Sequence, residues 1–326
     1  MNILLTFNEN YAQHAAACMT SICENNRWDN DLHFYLLVDN ITEKSLEKFS
    51  TYETIYGCKV SIQNIHGFMS SIDSSFDTSG WNEIVMARLL MARYLPESVD
   101  KILYLDGDTI IRSSLRPLWD CPMSGNLLGA VIEPTVKNSK LNQLGVRDAG
   151  YFNAGVLLVD IRAWKKQGAE QRLLEICRNK KDILTSNDQD ALNLLCAGNF
   201  KVLSPTYNYA NTFDYYPYEY LSKLEKNYPF PSKSEFAKVK ENPCIVHYLG
   251  EDRPWRTGTT HRFQSDYWHY AAKSPFSGSL AQEAGWETYF SLWKAFNGLF
   301  CHFPPVRLWI IQSLIPVMLK LRSKSK

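Results

Sequence analysis

The sequence predicts an α/β fold in which a mostly parallel central sheet is covered by helices on both faces. Short apolar runs rich in Val, Ile, Leu and Tyr recur along the first three quarters of the chain, with helical patterns and short connections between them. Strands that alternate with helices become parallel neighbours, because each helix carries the chain back across the sheet. With 326 residues, the chain can bury a large core in one domain and still carry an appendage.

The composition is that of an ordinary globular protein and excludes several classes. Hydrophobic residues make up 45% and charged residues 21%, which excludes a disordered chain. The formal net charge of +1 gives no reason to expect a nucleic-acid partner. The eight cysteines are scattered without a Cys-x-x-Cys pair, and no signal-peptide pattern precedes the first strand, so we expect reduced thiols in a cytoplasmic protein.

The N-terminal part of the chain predicts three strands separated by two helices. The apolar run at residues 2–7 is the first strand, and Thr42 is a good N-cap for the second helix. The elements predicted in this part are strand 2–7, helix 11–25, strand 32–38, helix 42–52 and strand 60–65.

The alternation continues beyond a polar, Ser-rich loop at residues 70–79. The stretch 207–231 is crowded with Tyr, Pro and Asn, so we expect loops that form a lip beside a site. The other predicted elements are helix 84–95, a strand that leads to Asp106, strands 128–133 and 154–160, helices 173–179 and 188–197, and a last short strand at 245–248.

Asp106 and Asp108 follow the apolar run that begins at Lys101, with only Gly107 between them. Two hard oxygen ligands at the end of a strand suit a divalent cation that also touches phosphate. A sugar-nucleotide transferase needs such a cation to neutralise a departing diphosphate. The alternative for an isolated Asp-x-Asp is a turn that closes a strand.

A second set of polar residues follows the strand predicted at 245–248. His247 could supply an imidazole to the cation, although a lone histidine more often makes structural hydrogen bonds. Gly250 would let backbone amides approach a diphosphate, and Arg253 would add positive charge beside it.

Two further segments carry candidate residues for a sugar ligand. Asn153 lies at the start of a predicted strand, where its amide could bind hydroxyl groups or hold a turn. Asp188, Gln189 and Asp190 lie at the start of a predicted helix, where acidic residues are favoured by the helix dipole in any case.

Together these segments resemble glycosyltransferase family 8, in their order and at compatible spacing, over roughly residues 1–268. The motifs are Leu103-Tyr104-Leu105-Asp106-Gly107-Asp108, Phe152-Asn153-Ala154-Gly155-Val156, Asn187-Asp188-Gln189-Asp190, and His247-Tyr248-Leu249-Gly250 with Arg253-Pro254-Trp255. The resemblance implies a GT-A fold, a Rossmann-like half joined to an acceptor-binding half, with a UDP-sugar and Mn²⁺ between them; Mg²⁺ is the other candidate metal.

The resemblance also implies roles for single residues. It implies that Asp106, Asp108 and His247 are the metal ligands, and that Gly107 belongs to the same donor site. By the same resemblance, the other donor-site residues are Thr6, Asn8 and Asn10 on uracil and ribose, Arg88 on the donor, Asn153, Asp188 and Gln189 around the transferred sugar, and Gly250 and Arg253 on the diphosphate. The sequence departs from the family at two of these positions, with Asn8 where Asp is frequent and Arg253 where Lys is common.

The implied reaction is retaining transfer of galactose or glucose from a UDP-sugar to a hydroxyl of a lipid-linked or protein-linked glycan. The product would belong to a cell-surface polysaccharide, lipopolysaccharide or glycoprotein glycan. Gln189 is an amide and a poor nucleophile, which favours attack from the leaving-group face over a covalent intermediate, although Asp188 and Asp190 leave the second route open. The alternatives are an inactive sugar-nucleotide-binding, membrane-associated protein and an aspartate-nucleophile phosphatase, which Thr109-Ile110 after the second aspartate disfavours.

We expect residues 1–273 to form the catalytic domain and residues 274–326 to form a C-terminal helical tail. The apolar run at 307–320 is too short to span a bilayer, contains Pro316, and is followed by a basic end, while no acidic residue occurs after Glu287. This pattern is typical of an interfacial anchor on an anionic membrane, here the inner face of the cell membrane. The alternative is a helix that packs on the catalytic domain with a solvated basic end.

Overall fold

The computed structural model describes residues 1–66, apart from Trp28 and Asn30, and residues 83–324. The Ser-rich loop predicted at 70–79 lies outside the described residues. The strands are β1 (Asn2–Asn8), β2 (His33–Asp39), β3 (Lys59–Asn64), β4 (Lys101–Leu105), β5 (Thr109–Ile111), β6 (Leu128–Ile132), β7 (Phe152–Asp160), β8 (Lys201–Val202), β9 (Tyr209–Ala210) and β10 (Ile245–His247).

The α-helices of the described ranges lie between and after these strands. They are α1 (Ala12–Asn25), α2 (Glu43–Tyr56), α3 (Arg116–Trp119), α4 (Asn138–Leu144), α5 (Ile161–Lys166), α6 (Ala169–Lys180), α7 (Asn187–Leu195), α8 (Thr212–Tyr215), α9 (Tyr218–Leu224), α10 (Lys233–Glu241), α11 (Gln264–Lys273), α12 (Glu287–Phe300) and α13 (Pro304–Lys324).

The central sheet has the strand order β3-β2-β1-β4-β7-β6-β8. The pairs β3–β2, β2–β1, β1–β4 and β6–β8 are parallel, whereas β7 is antiparallel to both of its neighbours. The predicted mostly parallel sheet flanked by helices is therefore confirmed. The carboxyl ends of β1, β2 and β4 meet at one edge of the sheet, which is where open α/β sheets bind their ligands.

The core lies on both faces of this sheet because side chains alternate along each strand. On β1, Ile3, Leu5 and Phe7 join the cluster that includes α1, α2 and α11, whereas Leu4 joins the opposite cluster under α5, α6 and α7. All four side chains are almost fully buried. Burial on both faces explains why the strand is a continuous apolar run.

Two predicted elements differ from the structure. The helix expected at 84–95 is a 3₁₀ helix, Glu83–Arg93, in which Leu90 departs from helical geometry at φ −107° and ψ 15°. Residues of this segment are buried on several sides, so packing against the sheet decides the backbone there. The stretch 207–231 is not all loop, because Asn211 and Pro217 act as the N-caps of α8 and α9.

A second sheet of three strands, in the order β5-β10-β9, stands beside the first. Strand β10 runs antiparallel to β5 in a register that places His247 opposite Thr109. The backbone N–H of Tyr248 donates to the carbonyl oxygen of Asp108 at 3.0 Å. This pairing carries a histidine from late in the chain to the turn that follows β4.

Helices α12 and α13 pack on the body of the protein and still expose apolar side chains. Phe290 and Leu308 are buried, whereas large apolar side chains elsewhere on the two helices and in the turn between them are 45–68% exposed. The exposed ones are Leu292, Leu299, Phe303, Val306, Trp309 and Leu314. Within the described part of the chain, no helix combines the length and the apolar character needed to cross a membrane.

Candidate functional site

The turn between β4 and β5 presents two carboxylates at the edge of the central sheet. The carbonyl oxygen of Asp106 accepts hydrogen bonds from the backbone N–H and the hydroxyl group of Thr109, at 3.2 and 2.8 Å, which closes the turn. The Tyr104 hydroxyl group donates to Asp106 Oδ1 at 2.7 Å. The orientation of the Asp106 carboxylate is thus set by the strand that precedes it.

Asp106, Asp108 and His247 come together, with one potential ligand atom from each within 4.8 Å of the others. His247 Nε2 lies 3.3 Å from Asp108 Oδ1 and 3.7 Å from Asp106 Oδ2. His247 is 1% exposed, and its Nε2 is a buried polar atom without a hydrogen-bond partner among the described residues. A buried ring nitrogen that faces two carboxylate oxygens fits a divalent cation.

Gly155 on β7 leaves the space that this cluster needs. A Cβ atom at this position would lie 2.2 Å from His247 Cε1 and 2.9 Å from Asp106 Oδ2. The backbone of Gly155 also accepts a hydrogen bond from the Asp106 N–H at 2.8 Å. The glycine is therefore required by the close approach of the imidazole, which adds a second observation in favour of a metal site.

Each of the two carboxylates also pairs with an arginine. Arg88 Nη2 lies 3.0 Å from Asp106 Oδ1, and Arg253 contacts Asp108 Oδ2, so that each carboxylate turns its other oxygen towards His247. Burial alone would raise the pKa of Asp108, but the charge of Arg253 and, when its ring is protonated, that of His247 outweigh it and hold that pKa below its ordinary value. The site therefore keeps Asp108 as an anion.

Arg88 links this cluster to Asp188 at the start of α7. Its Nε lies 2.7 Å from Asp188 Oδ2, and its Nη1 donates to the carbonyl oxygen of Ala154 at 2.8 Å. Burial raises the pKa of Asp188 to about 6; the charge of Arg88 opposes this shift and that of Asp106 adds to it. Asp188 is thus a carboxylate held in place by an arginine beside the ligand candidates.

Asn153 and Gln189 lie side by side in a row of hydrogen-bonded amides. Asn153 Nδ2 donates to Gln189 Oε1 at 3.3 Å, and the backbone N–H of Ala154 donates to the same oxygen at 3.0 Å. Gln189 Nε2 then donates to the Tyr151 hydroxyl group at 3.1 Å, and Tyr151 donates to Asp190. Both predicted sugar-side amides are therefore held in one orientation.

Asp190 has a structural role. It is fully buried, and it accepts hydrogen bonds from Tyr151 and from the backbone N–H of Ser186, the latter at 2.7 Å. Lys140 Nζ lies 2.8 Å from Asp190 Oδ1. A carboxylate held by these three partners is a poor candidate for a nucleophile.

Thr6 and Asn8 lie at the end of β1, and Asn10 lies just beyond it. The three residues differ in how they connect to the cluster of Asp106, Asp108 and His247. Thr6 is buried, and its Oγ1 lies 3.1 Å from the Tyr104 hydroxyl group that donates to Asp106. Asn10 is exposed, and among the described residues no hydrogen bond joins the side chain of Asn8 or Asn10 to the ligand candidates. Their contact with a base and a ribose stays a prediction.

Gly107 and Gly250, the two glycines predicted in the donor site, differ in whether their backbone position requires a glycine. A Cβ atom at Gly107 would meet the Cβ of Ala15 at 3.5 Å, which is ordinary contact. Gly250 has φ +72°, a left-handed conformation that side chains rarely adopt, and its carbonyl oxygen accepts a hydrogen bond from Arg253 Nε at 2.8 Å. Gly250 therefore turns the chain so that Arg253 reaches Asp108.

A cavity of about 570 Å³ has Tyr151 among its lining residues. Its walls come from the β6–α4 connection, from the lip around α9, and from α13. They include Glu133, Tyr220, Trp309 and Gln312. Burial raises the pKa of Glu133, although hydrogen bonds from Thr135 oppose the shift. This volume is in the range of small-molecule sites.

Arg307 links α13 to the lip at residues 207–231. It is 3% exposed, and its Nη2 donates to Asn297 Oδ1 at 2.8 Å. Four aromatic rings surround the guanidinium carbon at centroid distances of 4.4–5.8 Å, namely those of Tyr215, Tyr216, Trp293 and Phe296. Helix α13 is therefore held against the lip, and residues of this helix form part of the cavity wall.

Several residues of the site were not predicted from the sequence. Asn208, Glu133 and Arg307 stand in stretches without a motif, and their roles follow only from contacts between distant parts of the chain. Tyr104 and Gly155 did lie inside quoted motifs. An apolar strand with one tyrosine just before its two aspartates is a signal that could have identified Tyr104.

Comparison with known proteins places these features in a family. The sequence profile described as Glycosyl transferase family 8 matches residues 2–259. General stress protein A of Bacillus subtilis (strain 168) is 25% identical over 83% of this chain and 92% of its own length. Lipopolysaccharide 1,2-glucosyltransferase of Escherichia coli is 27% identical over 78% of this chain and 73% of its own length.

One solved structure shares the fold over most of both chains. It is the galactosyltransferase LgtC in complex with donor and acceptor sugar analogues, with a TM-score of 0.71 over 84% of this chain and 96% of that chain. The two sequences are 23% identical, so this likeness shows the fold alone.

Proposed function

Because the chain belongs to glycosyl transferase family 8, we propose that it transfers galactose or glucose from a UDP-sugar to a glycan hydroxyl with retention of the anomeric configuration. The metal would be Mn²⁺, with Mg²⁺ as the alternative, and the acceptor a lipid-linked or protein-linked glycan of the cell surface. The family assignment replaces the interpretation as an aspartate-nucleophile phosphatase. It leaves an inactive sugar-nucleotide-binding protein as the competing proposal.

One observation carries this proposal. The buried His247 Nε2 has no hydrogen-bond partner in the described structure and faces an oxygen of each of the two aspartates at 3.3 and 3.7 Å. A divalent ion held by Asp106, Asp108 and His247 would supply positive charge to the leaving diphosphate. The three residues fit such an ion in type, burial and mutual distance.

The surrounding residues would bind and orient the donor. Arg253 lies against Asp108, where its fork of N–H groups can turn to a phosphate. Asn153 and Gln189 have fixed amide orientations and would hold the hydroxyl groups of the transferred sugar. Asp188, fastened by Arg88, would add a carboxylate on the same side.

We propose attack from the leaving-group face, with the diphosphate taking the acceptor proton. Gln189 is an amide, and Asp190 is held by Tyr151, Ser186 and Lys140, so neither is suited to form a covalent bond with the sugar. Asp188 pairs with Arg88 through Oδ2, and this ion pair lowers its nucleophilicity. An α-linked product from a UDP-α-sugar, identified by NMR, supports retention, whereas a β-linked product contradicts it.

The decisive experiment measures UDP release from a panel of UDP-sugars with and without Mn²⁺. The proposal expects metal-dependent release from UDP-galactose or UDP-glucose, even with water as the acceptor. An inactive binding protein would bind UDP without turnover. The outcome that contradicts the proposal is a folded protein that releases no UDP from any donor and shows no Mn²⁺ dependence in UDP binding.

The cavity beyond Tyr151 is the proposed place for the acceptor glycan. Tyr151 connects the cavity with the sugar-side amides, because this residue is part of the cavity lining and its hydroxyl group accepts a hydrogen bond from Gln189. The exposed ring of Trp309 offers an apolar face on which a sugar ring can stack. If this is correct, Trp309→Ala lowers the ratio of transfer to hydrolysis. An unchanged ratio would remove α13 from the acceptor site.

We also propose that the C-terminal helices hold the protein at the cytoplasmic face of an anionic membrane. Leu299 and Phe303 are 68% and 59% exposed, and the sequence ends with the basic residues Lys320, Arg322, Lys324 and Lys326. Liposome sedimentation of the variant Leu299→Ser, Phe303→Ser tests this proposal. Ile55→Ser is the matched control, because Ile55 is 57% exposed on α2. Equal sedimentation of both variants with anionic liposomes contradicts the anchor.

A further inference from the structure

Asn208 lies between the metal-ligand candidate and the sugar-side amides, in the connection that leads into β9. It is 2% exposed. Its Oδ1 lies 2.8 Å from His247 Nδ1, and its Nδ2 donates to Asn153 Oδ1 at 2.8 Å. One buried amide thus contacts two residues that are far apart in the sequence and that serve different parts of the proposed site.

The direction of these hydrogen bonds is fixed by a backbone donor. The backbone N–H of Gly155 donates to Asn153 Oδ1 at 2.9 Å, and an N–H group can only donate. The atom of Asn153 at this point is therefore the oxygen, and the atom of Asn208 that faces it is the nitrogen. The oxygen of Asn208 then faces His247, so Nδ1 of the imidazole must carry the proton.

This assignment decides what the other ring nitrogen can do. With the proton on Nδ1, Nε2 of a neutral imidazole presents a lone pair to Asp106 and Asp108. A lone pair and two carboxylate oxygens within 3.7 Å repel one another, and a positive charge between them, that of a proton or of a metal cation, removes the repulsion. The tautomer that Asn208 selects is the one in which His247 can bind a metal through Nε2.

A second backbone donor fixes the orientation of the Gln189 amide. Ala154 N–H donates to Gln189 Oε1 at 3.0 Å, which identifies that atom as the oxygen. Asn153 Nδ2 donates to the same oxygen at 3.3 Å. The amides of Asn208, Asn153 and Gln189 therefore form one row, in which each nitrogen donates to the next oxygen.

We propose that Asn208 is a positioning residue with two effects on the site. Its oxygen holds His247 in the tautomer and ring orientation needed for a divalent cation, and its nitrogen orients Asn153 towards the sugar. Partners of metal-bound histidines commonly act in the first way. The inference rests on the proposed function, because it takes His247 as a metal ligand and Asn153 as a sugar contact.

Two substitutions separate the two effects. Asn208→Leu has a similar volume and removes both hydrogen bonds. Asn208→Asp keeps an acceptor for the Nδ1 proton but turns a second acceptor towards Asn153 Oδ1. Asn26→Leu is the matched control, because Asn26 is also 2% exposed and its side chain, among the described residues, hydrogen-bonds the backbone of Ile22 and Leu115, at 2.8 and 2.9 Å.

The first readout is Mn²⁺ binding in the presence of UDP, followed by the EPR signal of free Mn²⁺. We expect Asn208→Leu to weaken Mn²⁺ binding by about 10–100-fold, whereas Asn208→Asp stays within about threefold of the wild type. Asn26→Leu should lower the melting temperature and leave Mn²⁺ binding unchanged. Wild-type Mn²⁺ affinity in folded Asn208→Leu would overturn the inference.

The second readout is kinetic and concerns Asn153. In Asn208→Asp, two oxygens face each other, so we expect UDP-sugar hydrolysis to fall about tenfold at saturating Mn²⁺. Unchanged hydrolysis in this variant, or Mn²⁺ binding weakened as in Asn208→Leu, would overturn the inference even if the leucine variant does not fold. A wild-type protein that binds no Mn²⁺ would instead overturn the proposed function together with the inference.

Discussion

The donor side and the acceptor side of the proposed site are built in different ways. On the donor side, Asp106, Asp108 and His247 are fixed by strand pairing and by two arginines, the buried Arg88 and the partly buried Arg253. On the acceptor side, the cavity of about 570 Å³ is bounded by short helices, by the lip and by α13, with a mixture of charged, aromatic and amide side chains. The donor-side groups therefore have little conformational freedom, whereas the walls of the acceptor side can vary through substitution of their surface residues.

This difference explains why the donor is easier to infer than the acceptor. Most donor-side polar groups have partners that fix their direction, and within the described structure the unpartnered His247 Nε2 faces two carboxylates, so the chemistry of this side follows from the geometry. The acceptor-side walls include Lys223, Glu225 and Lys226, whose mixed charges select no particular glycan. A single side chain in such a wall can decide between two sugars that differ at one hydroxyl group. Four predictions test the contrast.

The largest effect is expected from removal of a charged ligand on the donor side. Asp106→Asn or Asp108→Asn should lower Mn²⁺-dependent UDP release by at least about 10²–10³-fold, because a neutral amide does not replace the charge of the carboxylate. UDP release and circular dichroism measure activity and fold separately. Asp120→Asn is the control, since Asp120 pairs with Arg116 on the surface. Near-normal turnover in either site variant would show that the metal assignment is wrong.

The next effect concerns the space beside His247. Gly155→Ala places a methyl group 2.2 Å from His247 Cε1, so the imidazole or the strand must shift. We expect Mn²⁺ binding to weaken about 10–100-fold and the free energy of unfolding to fall by about 1–3 kcal/mol. Gly298→Ala is the matched control, because a Cβ atom there meets no atom within 4 Å. If both variants behave alike, the close packing at β7 does not govern the metal site.

The third prediction uses the titration of Asp188. Its pKa is raised from 3.8 to about 6 on folding, so between these pH values the folded protein holds a proton that the unfolded chain has lost. The free energy of unfolding therefore falls as pH rises through this window, by about 1–3 kcal/mol from this group alone. Urea titrations of metal-free protein at pH 4 and 6.5 should show a smaller fall for Asp188→Asn than for the wild type. A pH dependence identical to that of the wild type would mean that Asp188 is already ionised at pH 4.

The smallest effect is expected at the acceptor-side anchor. Arg307→Lys keeps the charge among the aromatic rings but loses the planar fork that binds Asn297. We expect a loss of about 1 kcal/mol in the free energy of unfolding, together with a raised KM for the acceptor and an unchanged Mn²⁺ affinity. A change in Mn²⁺ affinity equal to that of Gly155→Ala would contradict the separation of the two sides.

The sequence was sufficient for the elements that depend on local pattern. The alternating strands, Thr42 as the cap of α2, and the Asp106-Gly107-Asp108 turn follow from apolar runs, capping chemistry and turn residues. The 3₁₀ helix Glu83–Arg93 could not be predicted, because its backbone depends on packing under the sheet. Asn208 could not be predicted either, since an asparagine before a two-residue strand carries no signal of its partners.

The row of amides has one more consequence. From His247 to Tyr151, the linking side chains are those of Asn208, Asn153 and Gln189, none of which gains or loses a proton in water near neutrality. Burial, followed by the nearby Asp190, raises the pKa of Tyr151 well above its ordinary value of 10.0, so the far end does not titrate either. A relay of histidines and carboxylates would reverse its hydrogen bonds when a cell acidifies. The three amides of this row keep their donors and acceptors when the pH falls, so a pH effect on this part of the site would enter through a titratable neighbour such as Asp188.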